Sequence, residues 1–311
     1  AVVASAADPS ICVGETTTIS GGGALNYIWD NGLGAGASFS VNPGITTTYQ
    51  VTGSSATGCS ATAEVTVTVN PNPTISASVT DATVCDGENT TISASGGDSY
   101  LWSNGLGTNA SNIVNPSTTT TYTVTGSSAA GCSNLATVTV NVNALPVITA
   151  MASDPTLCNG ESTTINAGGG DTYIWDNSLG AGGSHTVNPA TTTTYEVTGV
   201  DGNGCSNIAS VVVVVNDLPS ITAGADYPDL CVGESATITG NGGVSYEWDN
   251  GLGLGISHLV SPLVTTTYQV TGTDINGCQN TASVLVNVFD LPTVVASADY
   301  LSVCSGGSVT L

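Results

Sequence analysis

Apolar and polar residues alternate along short stretches of this chain, and the period is two. Residues 65–69 read Val-Thr-Val-Thr-Val, which puts three valines on one face of a strand and two threonines on the other. In Tyr49-Gln50-Val51, the tyrosine and valine share an inward face. The same logic predicts strands at residues 2–6, with Val2 and Ala4 together, at 16–20, with Ile19 inward, and at 38–41. A further strand is predicted at 26–30. Its position 28 recurs as Leu101, Ile174 and Glu247, so that face tolerates water, and Tyr27 and Trp29 are assigned to the core. Turn signals separate the strands: Asp8-Pro9-Ser10, Gly21-Gly22-Gly23, Asn31-Gly32 and Asn42-Pro43.

The pattern repeats every 73 residues. Trp29 returns as Trp102, Trp175 and Trp248, and Tyr49 as Tyr122, Tyr195 and Tyr268. One cysteine series is Cys12, Cys85, Cys158, Cys231 and Cys304; a second is Cys59, Cys132, Cys205 and Cys278. Repetition of this kind decides the architecture before local propensity does. The expected domains are residues 1–72, 73–145, 146–218 and 219–291, with 292–311 starting a fifth. Short linkers ending in Pro73, Pro146, Pro219 and Pro292 are stiff. The expected fold is therefore all-β, tandem β-sandwiches arranged as a rod.

Composition narrows the function. The 311 residues include no Lys or Arg and 23 acids, for a net charge of −23. Phosphate contacts need cations, so nucleic-acid binding is excluded, and anionic membrane surfaces are disfavoured. No apolar run approaches the roughly 18 residues of a membrane span. Residues 293–311 match the repeat register, and the expectation is that the chain continues beyond Leu311; strand donation to another subunit is the alternative.

The unit Cys-x-Gly-Glu, Tyr-x-Trp-Asp-Asn-Gly, Thr-Thr-Thr-Tyr-x-Val-Thr-Gly, Gly-Cys-Ser and Val-x-Val-x-Val resembles the Ig-like and PKD-like repeats of large bacterial surface adhesins of the Bacteroidota type. The resemblance covers the whole chain. Leu33 stands where PKD repeats usually carry Asp. It implies a β-sandwich, extracellular placement and a stalk or adhesive role, with no catalytic site.

Two cysteines per repeat in a chain of secreted character read as disulfides. The simplest pairing is within each repeat: Cys12–Cys59, Cys85–Cys132, Cys158–Cys205 and Cys231–Cys278. If five strands separate the two positions, the cross-repeat pair Cys12–Cys132 becomes possible instead. Cys304 has no within-repeat partner. Glu15, Glu88, Glu161 and Glu234, with Asp8, Asp81, Asp154, Asp226 and Asp299 nearby, are weak calcium candidates. Against them stands the ordinary use of such residues at strand starts and turns. No other cofactor is expected.

His185 and His258 replace Phe39 and Asn112 and read as surface-facing and variable. No nucleophile elbow or phosphate loop occurs, and the protein is not expected to be an enzyme. Trp29 and its copies read as core residues packed against a disulfide and Tyr, not as a sugar-stacking platform. The Asn-Gly-Leu-Gly turn after each Trp is then the exposed candidate contact surface. The expected function is that of stalk repeats in an extracellular surface adhesin or filament. The alternative is an array of multivalent glycan- or protein-binding modules. Expected partners are further repeats of a longer chain and lateral or end-to-end copies.

Overall fold

The computed structural model describes residues 1–297, 302, 304–308 and 310, so Asp299 lies outside the described residues. The chain forms two compact units: Ala1–Leu145 with Gly202–Cys205, and Pro146–Asp201 with Ser206–Leu311. The described residues are all-β, and no helix is long and apolar enough to cross a membrane.

Repeat 1 shows the pattern that all four follow. Its strands are β1 (Val3–Ala6), β2 (Ser10–Cys12), β3 (Thr17–Gly22), β4 (Asn26–Trp29), β5 (Gly34–Ala35), β6 (Ser38–Val41), β7 (Thr47–Ser54) and β8 (Ser60–Asn70). One sheet has the order β1-β3-β6 and the facing sheet β2-β8-β7-β4-β5. This is an Ig-like β-sandwich. In repeat 2 the place of β5 is held by a single bridge, Trp102 to Gly107.

Two features depart from the expectation. β8 is 11 residues long, against five expected, because Ser60 to Ala63 continue the ladder with β7 through Ser54↔Ser60 and Val51↔Ala63. β2 was not anticipated. After β1 the chain crosses at Asp8-Pro9 to the other sheet and runs parallel to the end of β8, pairing Ile11 with Val69 and Cys12 with Asn70. Three residues are too few to show a period, which is why the pattern missed them.

Each repeat has its own hydrophobic cluster. In repeat 1 it contains Ile11, Ile19, Trp29, Val41, Tyr49, Val51 and Val67. Trp29 is 2 % exposed and Ile28 beside it 60 %, so the alternation in β4 resolves as expected. The cluster contains no cysteine, so Trp29 packs against Tyr and aliphatic side chains and not, as expected, against a disulfide. The Trp29 indole N–H donates to Gly36 O at 3.2 Å, which satisfies its one polar group inside the core.

Tyr27 is the second pin. Its hydroxyl accepts from Ala24 N and donates to Ala24 O, both at 2.8 Å, so it holds the glycine turn on both sides. The same clamp recurs at Tyr100, Tyr173 and Tyr246. The glycine of each Val-Thr-Gly sequence is demanded by contact. A Cβ on Gly126 would lie 2.3 Å from Ile75 Cδ1, and one on Gly53 2.6 Å from Val2 Cγ2. The absent side chain lets the residue just before the first strand, Val2 or Ile75, close over the glycine.

The outward residue at position 28 and the inward residue beside it differ sharply in energetic weight. Trp29→Ala should lower stability by about 3–5 kcal/mol. Ile28→Thr should change it by no more than about 0.5 kcal/mol. Urea unfolding of the two variants checks both.

The buried phenols of Tyr49, Tyr195 and Tyr268 are held above their ordinary 10.0, first by burial and second by Asp30, Asp176 and Asp249. Tyr122 is raised by burial alone; Ser103 stands in the Asp position. A pKa higher in the folded state means stability that is complete below the unfolded value and lost as pH rises through the folded one. The melting temperature should therefore hold up to about pH 10 and fall above it. The fall should be shallower in Tyr49→Phe, as read by thermal scans alongside phenolate absorbance.

Candidate functional site

The residues that recur most strictly outside the core lie where one repeat meets the next. The first half of each junction is the Cys-x-Gly-Glu loop. Glu15 N donates to Cys12 O at 3.0 Å, closing a turn, and Gly14 in it has φ +90°, a conformation that favours glycine. The Glu15 carboxylate then reaches back and accepts from Cys12 N at 2.8 Å. Glu88, Glu161 and Glu234 do the same to Cys85, Cys158 and Cys231 at 2.9, 2.8 and 2.7 Å. The loop is also tied to β8: Val13 N donates to Asn70 O at 3.0 Å.

The second half is the turn before β8. In repeat 2, Ser128 N donates to Cys132 O at 2.8 Å, and Gly131 N to Ser128 O at 2.9 Å. The two halves are joined covalently. The disulfides are Cys12–Cys132, Cys85–Cys205 and Cys158–Cys278, each with a sequence separation of 120 and Cα atoms 5.5–5.6 Å apart.

The within-repeat pairs Cys12–Cys59, Cys85–Cys132, Cys158–Cys205 and Cys231–Cys278 do not form. Cys12 lies opposite Asn70, whereas Cys59 precedes Ser60. The whole of β8 stands between them, about 35 Å at 3.3 Å per residue, and a disulfide needs Cα atoms within about 7 Å. Cys59, Cys231 and Cys304 are free thiols, although Cys59 and Cys231 were expected in disulfides. In the same pattern the partner of Cys59 lies 120 residues upstream, and those of Cys231 and Cys304 120 residues downstream, all outside residues 1–311.

A polar contact invisible to the alternation reinforces the junction. Asn134 Nδ2 donates to the linker carbonyl of Pro73 at 3.2 Å, Asn207 to Pro146 at 3.1 Å and Asn280 to Pro219 at 3.0 Å. Their spacing of 73, always two residues after the cysteine, was the signal that could have found them. Repeat 1 has Ala61 at this position.

The other candidates are placed as follows. Asp8, Ser10, Ile11, Gly14, Glu15 and Thr16 line a polar recess of about 550 Å³, and repeats 2 and 3 have equivalents. The glutamate in each is engaged with a backbone amide. Among the described residues no three His, Cys, Asp or Glu side chains come together as a metal site. Asp226 accepts from Thr237 N at 2.7 Å and Tyr227 N at 2.8 Å, and these bonds, led by Thr237, lower its pKa.

The histidines are not surface-facing. His185 and His258 are half-buried, and their Nε2 atoms are enclosed without a hydrogen-bond partner. His185 meets Trp175 edge-on at 6.4 Å.

The turn after each Trp is only partly a surface. Leu33 packs against the core cluster. The Asp30 carboxylate accepts from Gln50 N at 2.9 Å, and Asn31, at φ +49°, donates to Thr48 O at 3.1 Å. Asp176 with Asn177, and Asp249 with Asn250, repeat these bonds. The Trp-Asp-Asn-Gly motif is therefore a strand-ending device that fastens β4 to β7.

No protein family matches the chain by sequence, and no curated protein matches it. Solved structures with related folds do. A Ca2+-stabilised adhesin with which an Antarctic bacterium binds ice shares 18 % identity over 93 % of this chain and 99 % of that one, with a TM-score of 0.35. The N-terminal eight Ig domains of Down Syndrome Cell Adhesion Molecule share 14 % over 96 % of this chain and 49 % of that one, also at 0.35. A 1.5-MDa bacterial ice-binding adhesin shares 18 % over 70 % of this chain and 97 % of that one, at 0.29.

By the chain-entropy model, closing a loop of 120 residues stabilises by about 5 kcal/mol. The three loops overlap in sequence, so their contributions are not additive. Replacing Cys12 and Cys132 together by Ser should cost a few kcal/mol, measured by denaturant unfolding. Cleavage of the unreduced wild-type chain at acidic residues should yield a linked peptide containing Cys12 and Cys132.

Proposed function

We propose that this chain is a load-bearing stretch of an extracellular adhesin stalk or filament, and that its work is mechanical. The observation that carries the reading is the stagger of the disulfides. From residue 12 to residue 278 the backbone has 266 residues, a contour of roughly 900 Å at about 3.5 Å per residue. The bridges Cys12–Cys132 and Cys158–Cys278 short-circuit all of it except the 26 residues from 132 to 158, roughly 90 Å by the same rise. Cys85–Cys205 spans that remaining segment with a third link. A repeat can lose its packing under tension and still release almost no length.

Stable disulfides belong to an oxidising compartment, which supports placement outside the cytosol. The absence of Lys and Arg supports a shaft that gathers no nucleic acid or anionic lipid. The 73-residue repeats at 1–72, 73–145, 146–218 and 219–291 would be its modules, with further repeats of the same polypeptide as neighbours.

A second reading is favoured by one observation. In repeats 2 and 3, outward residues pair across the sheet as Leu101–Thr125–Leu135 and Ile174–Thr198–Ile208, and Leu101, Leu135, Ile174 and Ile208 are about 60 % exposed. Such rows suit weak, repeated contacts with a protein or glycan surface.

Single-molecule pulling from handles near residues 12 and 278 tests the stalk reading. The oxidised chain should extend by less than about 100 Å before rupture. The reduced chain should give successive steps of roughly 250 Å, one per repeat of 73 residues at about 3.5 Å per residue. Long steps in the oxidised chain would sink the mechanical reading. Glycan-array binding by a two-repeat fragment would move the assignment to the second.

A further inference from the structure

The turn after each core Trp recurs in all four repeats, and in repeat 2 it is fastened least. In repeats 1, 3 and 4 the residue after Trp is Asp30, Asp176 or Asp249. Its carboxylate accepts from the side-chain amide of the next residue, Asn31, Asn177 or Asn250, at 3.3, 3.0 and 3.1 Å. The same amide donates to the backbone carbonyl of Thr48, Thr194 or Thr267 at 3.0–3.1 Å. Each of these amides is therefore pinned by two bonds.

Repeat 2 has Ser103 in the aspartate position. Its hydroxyl takes over the backbone bond, accepting from Thr123 N at 3.0 Å. The amide beside it is left loose: among the described residues the Asn104 side chain has no hydrogen-bond partner. The closing strand is shorter as well. Repeats 1, 3 and 4 pair two residues across the turn, as Ile28 with Ala35 and Trp29 with Gly34, where repeat 2 has the single bridge of Trp102 to Gly107. Asn104 and Gly105 are both exposed.

The fold itself selects a reactive sequence here. The turn needs positive φ at two successive positions, 56° and 73° in repeat 2, which favours Asn followed by Gly. Asparagine is among the thermolabile residues, and a glycine after it presents a backbone nitrogen with no Cβ to crowd its approach to the amide carbon. Reaction needs that carbon to swing toward the nitrogen. The two bonds on Asn31 and Asn250 prevent the swing, and Asn104 has neither.

We infer that Asn104-Gly105 is a site of spontaneous deamidation, and that the equivalent turns are protected by their aspartates. Gly105 N bonds to Asn104 Cγ and gives up its proton. The amide nitrogen leaves with that proton as ammonia, and a cyclic imide remains. Water opens the ring at either carbonyl, giving aspartate or isoaspartate at 104. One water is consumed and one ammonia released, with no change of oxidation state. Either product adds a carboxylate to a chain without Lys or Arg. Isoaspartate also inserts a methylene into the backbone between Trp102 and Gly107, the two ends of the bridge.

The test incubates the full chain at mildly alkaline pH and body temperature. Samples are then reduced, digested with chymotrypsin and read by mass spectrometry for conversion of amide to acid. Isoaspartyl methyltransferase labelling locates the isoaspartate. Asn104 should convert several-fold faster than Asn31 and Asn250, the two Asn-Gly copies that follow an aspartate. Ser103→Asp should slow Asn104 to their rate, and Asp30→Ser should raise Asn31 to the rate of Asn104. If Asp30→Ser does not fold, Ser103→Asp alone decides. Equal rates at the three asparagines of the wild-type chain overturn the inference, as does an Asn104 rate unmoved by Ser103→Asp. Extension under load is a separate readout, so failure here leaves the stalk reading standing.

Discussion

The length of β8 governs the covalent architecture. Eleven extended residues carry the chain from the turn at Cys59 to Asn70, and β2 lies against the far end of that strand. The two cysteines of one repeat are therefore held at opposite ends of its longest element. Neither can reach the other, and each is presented at a junction. A within-repeat disulfide would have stabilised a small sandwich that has little core of its own. The cross-repeat disulfide does so too, and it ties the stability of each repeat to that of its neighbour.

This placement leaves the interior to be held by packing alone. The Trp29 cluster has no sulfur in it, so the inter-sheet pin is made by Trp, Tyr and branched aliphatics, with Ile19, Val51 and Val67 fully enclosed. Two devices keep the ends of the sandwich from fraying. The Tyr27 hydroxyl fastens the glycine turn at one end. The Asp30 carboxylate fastens β4 to β7 at the other. Both are polar side chains satisfying backbone groups that the ladder leaves unpaired.

Much of this could be read from the residues. Alternation placed Trp29, Tyr49, Ile19 and Val67 inward and Ile28 outward, because a period of two survives in strands of four or more residues. The disulfide topology could not be read the same way. It depends on how far β8 extends before Val65, through Ser60-Ala61-Thr62-Ala63, where small residues give no hydrophobic contrast. It also depends on β2, three residues long and parallel, which pairs with a strand nearly sixty positions away. Non-local pairing leaves no mark on local pattern. The half-burial of His185 was hidden for a related reason: the space it fills is opened by Gly182, whose Cβ would lie 3.0 Å from His185 Nε2, and a pattern of polar letters does not show a ring lying over a glycine.

The missing cations explain why the junctions are covalent. With 23 acids and no Lys or Arg, acidic side chains cannot form Lys or Arg salt bridges, and neighbouring repeats repel each other at low ionic strength. Several of the acids are instead engaged with backbone amides: Glu15 at Cys12, Asp30 at Gln50, Asp98 at Ala129 and Asp274 at Cys278. Each of these four bonds lies within a single repeat. Cohesion between repeats then falls to the linker, the Asn–Pro carbonyl bond and the disulfide. Of these the linker and the disulfide are covalent and indifferent to salt and to the loss of packing, and only the disulfide also keeps an unpacked repeat from paying out its length.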